Sequence, residues 1–179
     1  MGIIFTETKL KGAFVVDPEK FEDERGFLSR SFSAKEFEDH ELISRIVECN
    51  ISFSKKRYTI RGMHFQKPPY AQAKLVRCTK GAVYDVIIDL RPGSPTFKQW
   101  IGAELTAENR RMLYVPEEFA HGFQTLADNT EVFYQISHFY NPASEGGVRW
   151  NDPVFGIDWP ARDGVTINAR DQNFPDFKL

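Results

Sequence analysis

Ile46-Val47-Glu48-Cys49-Asn50-Ile51-Ser52-Phe53-Ser54 alternates between apolar and polar side chains from Val47 to its end. Val47, Cys49, Ile51 and Phe53 fall on one face, and Glu48, Asn50, Ser52 and Ser54 on the other. A period of two belongs to a β-strand, because successive Cβ atoms point to opposite sides of the backbone. In a closed or two-layer β fold, a polar strand face either meets solvent or lines a cavity. The stretch itself leaves both open.

The same period spreads outward. Residues 82–90 are rich in β-branched side chains and follow Thr79-Lys80-Gly81, a turn that predicts a hairpin with residues 74–78. Ala127-Asp128-Asn129-Thr130 predicts a second hairpin, joining 122–126 to 131–137. Further short strands are expected at 26–32, 58–65, 99–105 and Met112–Val115. Helix is sparse. Ser33, with Glu36 three residues on, forms a capping-box pattern that opens a helix to about His40. From Asn141 onward, Pro142, Pro153, Pro160 and Pro175, with Gly146, Gly147 and Gly156, read as loops and short turns. Many short strands with this punctuation predict an all-β sandwich, jelly roll or barrel. No repeat or linker divides the 179 residues, so one domain over 1–179 is expected.

Composition narrows the function classes. The 23 basic and 25 acidic residues nearly cancel, which leaves no broad cationic surface for nucleic acid. No apolar run approaches the roughly 18 residues of a transmembrane helix, so no membrane is expected as a partner. An anionic ligand must therefore be met by local charge. The 16 phenylalanines suit both a packed β core and stacking on a flat base. Cys49 and Cys78 lie in β-like runs and read as small hydrophobes rather than a disulfide framework. The first residues show no basic-then-apolar secretory pattern, and a cytoplasmic location is expected.

Four clusters could carry chemistry. Arg61-Gly62-Met63-His64-Phe65-Gln66, with Lys74 on the next strand, offers an anion-and-base site. Strict alternation separates Arg61 from His64, but local twist or a bulge at Gly62 would bring them toward one site. His121 stands at a loop-to-strand junction, and Tyr134 precedes Phe139 and Tyr140. Asp171 is a candidate to orient a histidine, with Asp85 as its competitor. Taken singly, each is as well explained by packing: strand histidines and buried tyrosines usually have one satisfied polar atom and no further task. Two cofactor readings fail. No His-x-His accompanies a carboxylate as a cupin-type metal site wants, and neither Gly-x-Gly-x-x-Gly nor a Walker pattern occurs. The expected chemistry runs on side chains, without metal or cofactor.

The motifs resemble a known family. Arg61 to Gln66, Pro69, Gln72, Lys74-Leu75-Val76-Arg77, Asp89-Leu90-Arg91, Gly93-Ser94-Pro95-Thr96, Phe119-Ala120-His121-Gly122-Phe123 and Trp150-Asn151-Asp152-Pro153 look like the dTDP-4-dehydrorhamnose 3,5-epimerase signature. The likeness runs in order from about Arg25 to Pro175. It implies a cupin-like jelly-roll barrel, usually a homodimer, with a metal-free site that epimerises a nucleotide-linked 4-keto-6-deoxyhexose at C3 and C5. A C3-only or C5-only epimerase of another nucleotide sugar, for example a CDP-linked one, a non-catalytic sugar-nucleotide binder and a metal-dependent oxygenase of the wider cupin class are the competing readings. Carried over residue by residue, His64 is the base, Asp171 its partner, Lys74 the enolate stabiliser and Tyr134 the acid. Arg25, Arg61 and His121 would bind the diphosphate, Phe139 would stack on the base, and Asn50, Glu145 and Arg170 would line the pocket. The chain departs from the family at Arg30, where a glutamate is common, at Glu48, where a glutamine is usual, and at Arg170, where a lysine is. Arginine cannot accept the N3–H of thymine, so Arg30 raises altered base selectivity against a duller pairing with solvent or Glu48.

Overall fold

Residues 2–178 are described by a computed structural model. The strands are β1 (Ile3–Glu7), β2 (Phe14–Pro18), β3 (Lys20–Asp23), β4 (Gly26–Ser29), β5 (Glu48–Ser54), β6 (Ile60–Gln66), β7 (Lys74–Lys80), β8 (Ala82–Asp89), β9 (Trp100–Thr106), β10 (Met112–Val115), β11 (Phe119–Thr125), β12 (Thr130–Ile136) and β13 (Glu145–Gly147). Two short helices, α1 (Ala34–Asp39) and α2 (Ala169–Gln172), complete the elements. One sheet runs β1-β2-β10-β7-β12-β5 and a second runs β13-β6-β11-β8-β9, while β3 and β4 form a separate two-stranded arm. Two facing antiparallel sheets with strands that cross between them make a cupin-like jelly roll.

Both expected hairpins are corrected. β7 and β8 lie in different sheets, and so do β11 and β12. The turns reverse the chain as expected, and Gly81 takes a positive φ of 77° where a Cβ would come within 2.5 Å of Thr130 Oγ1. Each turn, however, carries the chain across the core instead of along one sheet. Val76 and Cys78 of β7 pack into one buried cluster with Val83 and Ile87 of β8 and Val132 of β12. Turn chemistry fixes a reversal, and the apolar faces decide whether strands pair edge to edge or stack. β8 is buried on both faces: Val86 and Ile88 pack outward under Trp150 and Trp159 of the C-terminal loops. Burying each such aliphatic side chain contributes roughly 1.5–3 kcal/mol.

The helix after Ser33 forms, with Ser33 Oγ accepting from Glu36 N–H at 3.4 Å. The box is not reciprocal, because the Glu36 carboxylate accepts instead from Ile3 N–H at 2.9 Å and from Arg30 at 2.6 Å. Phe37 of α1 covers one end of the six-stranded sheet through Val16, Leu75 and Met112. The expected strand at 26–32 stops at Ser29.

β5 is turned inside out. Its polar face looks inward, and Cys49, Ile51 and Phe53 are exposed, Ile51 to 67%. Among the described residues no helix is long and apolar enough to cross a membrane.

Candidate active site

The site is built where the polar face of β5 meets strands of the facing sheet. Gly62 is the local reason that two neighbours on β6 share it. Its φ is 129°, and a Cβ there would sit 2.4 Å from Gly122 Cα, so only glycine lets β6 and β11 approach this closely. The β6–β11 register shifts between His121 and Phe123, opposite this glycine. Arg61 and His64 consequently line the same hollow.

That hollow has two lobes. The first, of about 370 Å³, is lined by Glu48, Asn50, Gln66, Gln72 and Ile136, among others. The second, of about 360 Å³, is lined by Ser52, Arg61, His121, Asn168, Arg170 and Asp171, among others. His64, Lys74, Tyr134, Tyr140 and Glu145 line both, which makes them the waist between the lobes. Each volume lies within the range of small-molecule sites, roughly 300–1,000 Å³. His64 comes from the five-stranded sheet, and Lys74 and Tyr134 from the six-stranded one. The imidazole and the phenol therefore stand on opposite walls.

Two histidines are each held by a carboxylate. His64 Nε2 lies 2.8 Å from Asp171 Oδ1, and His121 Nε2 lies 2.9 Å from Asp85 Oδ1. Asp85, the competing partner for His64, is thus committed to His121. A carboxylate only accepts, so the hydrogen of His64 sits on Nε2 and the neutral ring keeps its lone pair on Nδ1. Arg170 Nη2 approaches the same Nε2 at 3.2 Å, but a nitrogen that is donating to Asp171 cannot also accept. Arg170 binds instead through Glu145 at 3.0 Å and lies 3.4 Å from Asp171 Oδ1.

Burial pushes the Lys74 ammonium down to about 8, against the pull of Asp85 and Glu145. Burial also raises the Tyr134 phenol, which keeps it protonated; Arg61 acts against that and Glu48 with it. The hollow thus offers a fixed imidazole lone pair, a partly desolvated lysine cation and a neutral phenol. Among the described residues no group of three or more His, Cys, Asp or Glu is arranged to hold a metal ion.

The model of the family described as dTDP-4-dehydrorhamnose 3,5-epimerase matches residues 7–178. The chain belongs to that family. The Salmonella typhimurium strain LT2 dTDP-4-dehydrorhamnose 3,5-epimerase is 45% identical over 176 residues, covering 97% of this chain and 94% of the relative. Among solved structures, the epimerase of Elizabethkingia anophelis superposes with a TM-score of 0.95 at 42% identity, over 98% of this chain and 96% of that one. The Bacillus anthracis strain Ames epimerase, solved with TDP and PPi bound, gives 0.94 at 42% identity, over 98% and 100%.

Set against the family's residue pattern, the hollow gathers His64, Lys74, Tyr134, Asp171, Glu48, Asn50, Arg61, His121, Glu145 and Arg170. Three expected site residues are not brought there. Arg25 sits in the β3–β4 turn, 84% exposed and ion-paired with Asp23. Arg30 is held by Glu36, not by Glu48 or solvent alone. Phe139 is 55% exposed and lines neither lobe, although its carbonyl accepts from Gln66 Nε2. Its neighbour Tyr140 lines both lobes and donates its hydroxyl to Glu145 at 2.8 Å. Of that aromatic pair, Tyr140 and not the expected Phe139 lines the hollow. Sequence analysis does not anticipate α2, whose signal is Asn168: its Oδ1 caps Asp171 N–H at 2.7 Å and so aims the Asp171 side chain at His64.

Proposed function

We propose that this family member epimerises dTDP-4-keto-6-deoxyglucose at C3 and C5 to dTDP-4-keto-rhamnose, in deoxysugar biosynthesis. One observation carries the reading: an Asp-held imidazole and a neutral phenol occupy opposite walls of one hollow, with a lysine between the lobes. The C4 ketone acidifies the hydrogens on C3 and C5, because loss of either gives an enolate with charge on O4. His64 Nδ1 takes the proton from one face. Lys74 faces the developing oxyanion, where a preorganised donor contributes roughly 3–4 kcal/mol. Tyr134 returns a proton from the other face, and the centre is inverted.

Arg61 serves the diphosphate: its Nε and Nη2 are fixed by Ser54 Oγ and the Phe53 carbonyl, so the guanidinium is preorganised. Asn50, Glu48, Glu145 and Arg170 contact the rest of the nucleotide sugar. The assembly is a homodimer. An apolar strand face left in water, as on β5, fits a second copy of the chain. The exposed β3–β4 arm, with Phe21, Phe27 and Leu28 uncovered, would carry Arg25 to the partner's hollow. The reading includes a single domain acting in the cytoplasm, without metal or cofactor.

Incubation of dTDP-4-keto-6-deoxyglucose with the protein in D₂O, followed by proton NMR, tests it. Deuterium should enter at both C3 and C5. Entry at C3 alone reduces the activity to a single epimerisation, and entry at neither ends the enzyme reading.

A further inference from the structure

His64 is flanked as well as held. Its ring makes an edge-to-face contact with Phe174, 5.9 Å between centroids and 69° between planes. Phe174 lies just beyond α2, so one short segment brings both the Asp171 carboxylate and an aromatic ring to the same imidazole. Phe174 is partly buried and lines neither lobe of the hollow. Any part it plays in the reaction runs through His64.

A glycine makes the slot that takes the ring. Gly147 stands directly opposite His64 in the β13–β6 register, and a Cβ on it would lie 2.3 Å from Phe174 Cζ. Gly147 is not in the left-handed region, so the ring, and not backbone conformation, is what calls for glycine here. Beyond the ring the segment is anchored again. Asp176 pairs with Arg149 at 2.6 Å, and Phe177 N–H donates to Oδ2 of the buried Asp152 at 2.6 Å. The Phe177 ring packs against Phe97 and Phe155. Phe174 is thus pinned between the Asn168 cap of α2 and the Phe177 anchor.

The bond to Asp171 fixes one atom of the imidazole, Nε2, and leaves the ring able to pivot about it. Histidine χ2 has only a broad torsional preference, so the side chain itself does not set the plane. A second ring pressed on its flank does. Building on the epimerase reading, we infer that Phe174 is a positioning residue: seated on Gly147, it sets the plane of the His64 imidazole and so aims the Nδ1 lone pair at the sugar. A base misplaced by about 1 Å can cost about 10²-fold in rate.

The test reads kcat and KM for dTDP-4-keto-6-deoxyglucose, with dTDP Kd by calorimetry, in Phe174→Ala, Gly147→Ala and the double variant. Phe174→Ala should lower kcat by about tenfold or more, with KM and dTDP Kd within about twofold. Gly147→Ala should do the same by pushing the ring from its slot. The double variant should be no worse than Phe174→Ala, because the added methyl then meets an empty slot. Phe174→Leu, which refills part of the slot, should recover part of the rate. Retained dTDP binding also shows that the variants fold. Wild-type kcat in either folded single variant overturns the inference, and so do additive losses in the double variant. A dTDP affinity weakened beyond about tenfold in folded Phe174→Ala makes the residue a general support of the site and overturns it too. Should Phe174→Ala not fold, Phe174→Leu decides: reduced kcat at unchanged Kd upholds the role, and wild-type kcat sinks it. A wild-type protein that binds dTDP but exchanges no deuterium refutes the epimerase reading instead. Nitrogen NMR of the neutral His64 ring still judges Phe174 in that case, since a loosened ring mixes its tautomers; an unchanged Nε2–H tautomer in Phe174→Ala rejects the positioning role.

Discussion

His64 Nε2 and Asp171 Oδ1 are 2.8 Å apart although 107 positions separate them in the chain. The second oxygen of Asp171 accepts Gly62 N–H at 3.1 Å, so one buried carboxylate anchors both the base and the glycine that shapes β6. Burial pushes the Asp171 carboxyl up, but hydrogen bonds from His64 and Gly62, with the charges of His64 and Arg170, hold it below the usual carboxylate range. It therefore stays ionised at any pH where an imidazole can act as a base, and it keeps the His64 hydrogen on Nε2.

Replacing that carboxylate should disable the base without removing it. In Asp171→Asn the amide can donate to Nε2, which moves the ring hydrogen to Nδ1 and leaves no lone pair toward the sugar. Deuterium exchange should fall by roughly 10²-fold or more, and further in His64→Ala. Exchange within about threefold of wild type in Asp171→Asn would remove Asp171 from the mechanism.

Lys74 sets the alkaline side of the pH profile. Its ammonium titrates at about 8 instead of 10.5 because burial disfavours the charge. The protonated form faces the enolate oxygen, so kcat should decline as pH rises through about 8. Lys74→Arg stays charged throughout that range. Its rate should be lower, from misplaced donors, but the limb near pH 8 should disappear. If the limb persists in Lys74→Arg, another group causes it.

Asp89 governs acid stability rather than catalysis. Burial raises its pKa, but hydrogen bonds from Arg91, Ser94 and Thr96 outweigh this and hold it at about 2, below 3.8. A carboxyl depressed in the folded state contributes stability that is fully present above the unfolded value and lost as pH falls through the folded one. The contribution, roughly 2 kcal/mol, should therefore disappear between about pH 4 and pH 2. Asp89→Asn should lower Tm at pH 7 by about 4–8 °C and flatten the acid dependence in that window. An unchanged Tm would show that the cluster adds nothing net.

Arg30 is expected to leave base choice alone. Its guanidinium is taken by Glu36, which itself ties α1 to β1 through Ile3. Calorimetry should accordingly show dTDP bound more tightly than CDP. A preference for CDP would restore the altered-base reading of that departure.

The parts of the fold that sequence made legible are those fixed by local period and turn chemistry. Met112–Val115 falls where expected, and β6, β7, β8, β9, β11 and β12 each lie within two or three residues of their expected bounds. What sequence did not show is pairing, because a strand's hydrogen-bond partner is chosen by apolar faces far away in the chain: β7 joins β10 and β12, and not β8. The site was legible as residue types in a family pattern. Its wiring was less so. Nothing local separates Asp85 from Asp171 as the partner of His64, and nothing in Phe139-Tyr140 says which ring turns inward. Arg25 lies outside the hollow in the exposed turn of the β3–β4 arm, and Arg30, just beyond β4, is drawn to Glu36 of α1.

The exposed face of β5 carries the last expectation. β5 is an edge strand of its sheet, and an edge with Ile51 and Phe53 in water invites association unless it is covered. Beside it on the same sheet, the Arg77 guanidinium lies over the Phe133 ring at 4.8 Å, and its Nε is buried without a partner. A second copy packed here would cover the apolar strip and bring each β3–β4 arm toward the other subunit. Ile51→Asp places a charge in the middle of that contact, while in one chain the side chain is already solvated and the fold loses little. Light scattering should find a dimer for the wild type and a monomer for Ile51→Asp, with a raised dTDP Kd in the variant because Arg25 no longer reaches a neighbouring hollow. Arg25→Ala should raise that Kd to the same extent while remaining dimeric. A wild-type monomer with full dTDP affinity would remove both the second copy and the role of the arm.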